Sequence, residues 1–293
     1  MMRMGFKSLV AAATLLAVVS SVALADGSDG RVPALKVTAP DGATSILIGS
    51  AHVGVRGMRE PDATIFNGAR QFVVEHRGDH QPGDSGEIGA KRAAWAQGLT
   101  TTQIAVYAQR ARCAGVSQSY ARSLLMRPSV QWANQLAYSV CGWENVPSRD
   151  VVLAAEKPLG LETKYLEDDA WVEAKRRSVP ARLSDRSFKW ALAHDPEQIW
   201  DRIRDAINQG DYEGIRDQFD VSVGSVKNAK QLDRIMVEER NAAWMPKLHT
   251  YLDEGNAVIV VGTMHLPGES GLIQKLRNDG YKVDAISLPA KPD

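Results

Sequence analysis

Two apolar runs near opposite ends of the chain close on the same pattern, and the fold has to bring them together. Ser45-Ile46-Leu47-Ile48-Gly49-Ser50-Ala51-His52 stands near the start, and Ala257-Val258-Ile259-Val260-Val261-Gly262-Thr263-Met264-His265 near the end. Short runs rich in Val and Ile read as buried strands. Each would lack a partner unless the two ends of the chain share one sheet. A glycine at the carboxyl end of such a strand permits a tight turn. In open α/β sheets, ligands bind in the crevice at the carboxyl ends of the strands. The two G-x-x-H segments therefore predict that the imidazoles of His52 and His265 converge on one site. Their likeness also hints at a duplicated half-domain.

The rest of the chain supplies further strands and a helical middle. Residues 34–39 and 44–49 predict a hairpin around the Pro40-Asp41-Gly42 turn signal. Residues 72–75, 157–162 and 281–288 predict three further strands. Residues 61–71 have helical character, with Pro61 placed for a first turn. Residues 81–87 are polar and Gly-rich, hence loop. Helical periodicity fills residues 88–139, broken at Arg127-Pro128, then 150–156. It resumes over 166–254, with boundaries near Pro180, Pro196 and Gly210. Residues 270–279 predict a helix closed by Gly280. The fold class is α/β: a mixed β-sheet built from N- and C-terminal strands and flanked by helices. A large central helical insertion covers about residues 88–156 and 166–254.

Residues 1–25 read as a secretory signal peptide. Arg3 and Lys7 precede an apolar stretch from Leu9 to Leu24, and Ala23-Leu24-Ala25 offers a small-x-small cleavage site. Cleavage is expected after Ala25, leaving residues 26–293 as a single domain in the periplasm or outside the cell. No later segment is long and apolar enough to span a bilayer, so no stable membrane anchor is expected after cleavage. The 35 basic residues balance 35 acidic ones. A near-neutral chain gives no electrostatic case for nucleic acid. Cys113 and Cys141 are the only cysteines. In an oxidising compartment they are expected to pair with each other.

Neutral imidazole and carboxylate are the usual ligands of a borderline divalent metal, and a catalytic site takes about three of them. His52, His265 and one glutamate meet that count. Glu75 and Glu162 each end a predicted strand; either can ligate, with the other as general base on a bound water. Glu269 is a third candidate, although a favourable charge at a helix start explains it as well. His76 and His80 sit in a polar loop and read as solvated. His194 and His249 fall in helical segments with no chemical role expected. Arg240-Asn241 forms a polar patch on a helix, either a solvated face or a clamp for an anion or carbonyl. The chain contains no G-x-G-x-x-G after a strand, no G-x-x-x-x-G-K-[ST] and no H-E-x-x-H.

Taken in order, five segments resemble the TraB/GumN family. They are Gly49-Ser50-Ala51-His52-Val53-Gly54, Val73-Val74-Glu75, Gly160-Leu161-Glu162-Thr163, Glu239-Arg240-Asn241, and the stretch from Val261-Gly262-Thr263-Met264-His265 to Gly271. That family is related to Tiki metalloproteases within the erythromycin-esterase/ChaN-like superfamily. The resemblance implies an α/β core and a metal-dependent hydrolase site of His52, His265 and Glu75, with Glu162, Arg240 and Asn241 as further catalytic candidates. The cofactor implied is a divalent metal ion, and the partner a peptide or small-molecule substrate. The chain departs from the family where Glu75 is followed by His76-Arg77. Two other functions stay open: a periplasmic haem-type binding protein, which needs an apolar cleft and an axial ligand, and an accessory factor in surface polysaccharide assembly.

Overall fold

The computed structural model describes residues 30–78 and 88–292. The signal peptide, its cleavage site after Ala25, His80 and the 81–87 loop lie outside the described residues. Among the described residues, six strands form one mixed sheet: β1 (Arg31–Thr38), β2 (Thr44–Ser50), β3 (Gln71–Val74), β4 (Thr163–Tyr165), β5 (Ala257–Gly262) and β6 (Lys282–Pro289). Their spatial order is β4-β3-β5-β2-β1-β6. β1 pairs antiparallel with both β2 and β6, whereas β2, β5, β3 and β4 run parallel to one another. The two G-x-x-H strands are direct neighbours, with Gly49 opposite Val261 and Ser50 opposite Gly262. All six residues of β5 are buried, as a central strand covered on both faces must be.

Each face of the sheet is covered by a different layer. Ile259 and Val261 of β5 pack with Trp244, Leu248 and Leu252 on one face. Val258 and Val260 pack with Ile65, Phe66, Phe72 and Leu153 on the other. The helix carrying Trp244 spans Glu239–Glu254 and buries Arg240, Asn241, Trp244, Leu248 and Leu252. That spacing keeps them on one helical face, so the polar pair Arg240-Asn241 is drawn in with the apolar stripe. A second layer of helices builds two further cores, one around Tyr107, Ala133 and Phe188 and one around Ile199, Ile203 and Ile207. The sequence supplies the stops. Asp195 caps the helix Pro196–Gln209 with Pro at its first turn, and Gly210 closes it at φ 73°.

Two expected elements differ. In place of a helix over residues 61–71 there is one 3-10 turn, Ala63–Phe66, capped by Asp62. Gly68 in the left-handed region (φ 75°) ends it before β3 begins. The strand expected at 157–162 is a turn instead, because Gly160 also adopts a left-handed φ of 85°. The paired strand is β4, which follows Glu162 rather than ending on it.

The structure joins Cys113 and Cys141, 28 positions apart, in a disulfide. A loop of that length is worth about 3–4 kcal/mol in the chain-entropy model. Cys113→Ala/Cys141→Ala is expected to lower unfolding free energy by about 3 kcal/mol in urea melts without loss of helical circular dichroism. The parent is expected to show no reactive thiol when denatured without reductant.

Candidate functional site

Four parallel strands place their carboxyl ends on one edge, and each delivers a side chain there. β2 leads to His52, β3 to Glu75, β4 to Glu167, and β5 to a 3-10 turn, Thr263–His265. His52 adopts a left-handed φ of 58°, uncommon for a residue with a Cβ and often found at functional sites. Gly262 has a reason other than turning. A Cβ at this position would lie 2.7 Å from His52 Nε2 and 3.2 Å from Glu75 Oε1. Only glycine leaves room for that pair to meet.

Glu75 is the hub. Its Oε1 accepts from the Gly262 amide at 2.6 Å and lies 3.1 Å from His52 Nε2 and 3.7 Å from His265 Nε2. Its Oε2 accepts from Arg240 Nη2 at 2.6 Å. Arg240 also bonds Glu167 through Nε and Nη2, the Met236 carbonyl at 3.2 Å, and His265 Nε2 at 3.0 Å. All five guanidinium N–H donors are thereby engaged. Glu167 accepts a further bond from Trp244 Nε1 at 2.9 Å.

Both histidines are held at Nδ1. His52 Nδ1 lies 3.2 Å from each oxygen of Asp150, whose Oδ2 also accepts from Ser50 Oγ at 2.5 Å. Asn241 donates to the carbonyls of His265 and Ser270, so its Oδ1 accepts from His265 Nδ1 at 2.7 Å. His265 Nε2 is then the lone-pair nitrogen that accepts from Arg240.

The two imidazoles carry different charges. Burial would lower the pKa of His52, but Glu75 and Asp150 outweigh it and push the value up to about 10. For His265 burial is the largest effect, opposed by Glu75 and assisted by Arg240, and its pKa falls to about 3. Burial favours a neutral Glu75, yet His52, His265 and Arg240 hold its carboxyl well below the usual range. The site therefore sets three carboxylates, Glu75, Glu167 and Asp150, against the cations Arg240 and His52.

This cluster lines a cleft of about 670 Å³ between the sheet edge and the helical layer. Its walls include Leu183, Trp200, Ile203 and Met236. Of the expected site residues, the structure brings together His52, His265, Glu75, Arg240 and Asn241. Glu162 stands apart: it precedes β4, is 68 % exposed and pairs with Lys164 at 2.6 Å. Glu269 is exposed in the turn before the helix Leu272–Asn278. His194 rests on Trp190, and His249 pairs with Asp279. The expectation of a solvated His76 is corrected. It lines the cleft, with Nδ1 2.8 Å from Asp169 Oδ1, because Asp169 opens a helix directly after the β4 turn. Sequence reasoning missed Asp150 and Glu167. The clues to them were Ser148 as a helix cap and the i, i+4 spacing of Arg240 and Trp244, which both bond Glu167.

Among the described residues, one ligand atom from each of Glu75, His76 and Glu167 lies within 4.8 Å of the others. Arg240 already bonds both glutamates of that group, so a protein cation holds their charge. His52 Nε2 and Glu75 Oε1, with His265 Nε2 beside them, form the donor set facing the cleft.

A mixed sheet that gathers histidine and glutamate at the carboxyl ends of its parallel strands, bonded by an arginine from a covering helix, defines an α/β protein with a charged, cleft-lining site built from metal-ligating residue types. The chain belongs to the TraB/PrgY/gumN family, whose model matches residues 34–285. No curated protein and no solved structure matches it.

Two outcomes follow from the charge arrangement. Arg240→Met strands two buried carboxylates and is expected to cost about 3–5 kcal/mol of stability in denaturant melts. Adding Glu167→Gln is expected to return part of that loss. The folded state binds the His52 proton more tightly than an unfolded chain, where the pKa is about 6.5. Its stabilising contribution is then complete below about pH 6.5 and lost as pH rises to about 10. The 42 % exposure of the ring damps the effect through solvent screening. In chelator-treated protein, His52→Asn is expected to flatten the stability profile across that window, read by urea melts at successive pH values.

Proposed function

We propose that this protein is an exported metal-dependent hydrolase, with His52, His265 and Glu75 as the ligands of one divalent ion. The observation that carries the reading is the shared approach of two Nε2 atoms to one oxygen of Glu75, at 3.1 and 3.7 Å. The anchored Nδ1 atoms support it. Metal-binding histidines commonly give their second nitrogen to a carboxylate or carbonyl, which fixes ring orientation and tautomer. Asp150 and Asn241 occupy those positions. The donor set fits a borderline divalent metal. Such an ion, when bound, polarises a carbonyl and lowers the pKa of water.

The chain's own groups have separable tasks. Glu75 stays ionised because Arg240 and the Gly262 amide hold it. His265 stays neutral, and its Nε2 lone pair, which accepts from Arg240, is the one that would hold the ion. His52, anchored at Nδ1 by Asp150, would offer Nε2 to the ion in its deprotonated form. Asn241 positions His265. The apolar walls of the cleft exclude water and hold a peptide or small-molecule substrate. The disulfide supports an oxidising compartment, and with it export. Among the described residues no helix is long and apolar enough to cross a membrane.

A second reading rests on Arg240. Its guanidinium already neutralises Glu75 and Glu167. A hydrolase without metal would use His52, between Glu75 and Asp150, to move the proton. Calorimetric titration of chelator-treated protein with Zn²⁺ and Mn²⁺ separates the two. In the metal reading, His52→Ala and His265→Ala each fold normally by circular dichroism and lose at least about tenfold in affinity. Hydrolysis of a peptide library stops on chelation and returns with metal. Activity that survives chelation selects the second reading. Two folded variants that bind metal like the parent overturn the first. Haem titration by absorbance tests the binding-protein alternative.

A further inference from the structure

A smaller chamber opens off the cleft at the charged cluster. It measures about 200 Å³ and is lined by the end of the helix Tyr212–Ser222 and by the helical segments that follow it. Val223, Leu232, Met236, Arg240, Met264 and His265 line both spaces, so the two meet at the guanidinium and the neutral imidazole. Beyond that junction the chamber is walled by Ala229 and Val237. Its two acids are Asp233, whose carboxylate is held by Arg216, and Asp220.

We infer that this chamber is a specificity pocket that receives one aliphatic side chain of the substrate, of leucine or methionine size, next to the bond presented to His52, Glu75 and His265. The inference deepens the hydrolase reading and rests on it. Volume and lining decide the class. Ligand pockets for drug-sized molecules begin near roughly 300 Å³, so this space holds a side chain and not a second ring system. Among the described residues no unbalanced cation lines it to attract a phosphate or carboxylate, since the Arg240 charge is neutralised by Glu75 and Glu167 and the two acids disfavour an anion. Met236 and Met264 are unbranched and deformable, so the walls adapt to leucine, isoleucine or methionine. A β-carbon alone would leave most of the volume unfilled, and a hydrophobic pocket discriminates by about 10–200-fold per methylene-scale difference.

The test uses the full mature chain and small neutral probes that need no turnover. Binding of N-acetyl-L-leucinamide, N-acetylglycinamide and N-acetyl-L-phenylalaninamide is measured by NMR titration. The leucine probe is expected to bind at least about tenfold more tightly than the glycine probe. Leu232 is only partly buried, so both of its variants are expected to fold. Leu232→Trp fills the chamber and is expected to abolish the preference. Leu232→Ala enlarges it and is expected to move the preference toward phenylalanine. Equal binding of the leucine and glycine probes to the parent overturns the inference. So does a folded Leu232→Trp protein that keeps the leucine preference. Intact preference in a protein that neither binds metal nor hydrolyses peptides counts against the hydrolase reading alone. Metal-dependent hydrolysis with no side-chain preference counts against the pocket alone.

Discussion

The ion network around Arg240 is the interaction on which the rest of the site depends. A guanidinium that is only a few per cent exposed carries a large desolvation cost, and its attraction to Glu75 and Glu167 must offset it. Those carboxylates come from two different strands, and the arginine from a helix laid across the sheet. The network therefore ties three elements together at the one edge where backbone pairing ends. It also fixes charge states. With Arg240 in place, Glu75 remains a carboxylate and His265 remains neutral.

Seen this way, the two histidines are not equivalent despite their similar segments. His265 is sealed between Trp244, Asn241 and Arg240, with ring centroids 4.3 Å apart at Trp244. His52 stands at the open side of the cleft between two carboxylates. One imidazole is built to stay neutral and the other to hold a positive charge. That charge can be a proton or can be replaced by an ion, so the metal and metal-free readings differ in what occupies one position rather than in the architecture around it.

The parts of this arrangement visible in the sequence are those with a local signature. The runs before Gly49 and Gly262 announce β2 and β5, and their shared pattern places His52 and His265 together. Phe72-Val73-Val74 announces β3 and so Glu75. Arg240-Asn241 stands out as a polar patch on a helix, and the structure turns that patch inward with the buried residues. Glu167 had no such signature. β4 is three residues long, too short for any periodicity, and the apolar Leu159-Gly160-Leu161 beside it drew the strand, and with it Glu162, to the wrong place. Asp150 was hidden because a helix start explains an acid without a partner. In the sequence the glycines read as turn formers. At Gly262 the demand is for empty space, which only the packed structure reveals.

The segment from Val226 to Glu254 runs without interruption through helix, a π-helical stretch at Arg234–Glu238, and helix again. Leu232 stands on the first part, Met236 in the π-helical stretch, and Arg240 near the start of the last. One rod thus carries the wall that meets a ligand and the cation that sets the charges. A small roll of that rod, for which the wider π-helical turn is a natural locus, would change the shape of the chamber and the ionic balance of the cluster together. The wall and the cation therefore belong to one continuous element, and a substitution that re-seats it at either place is felt at both.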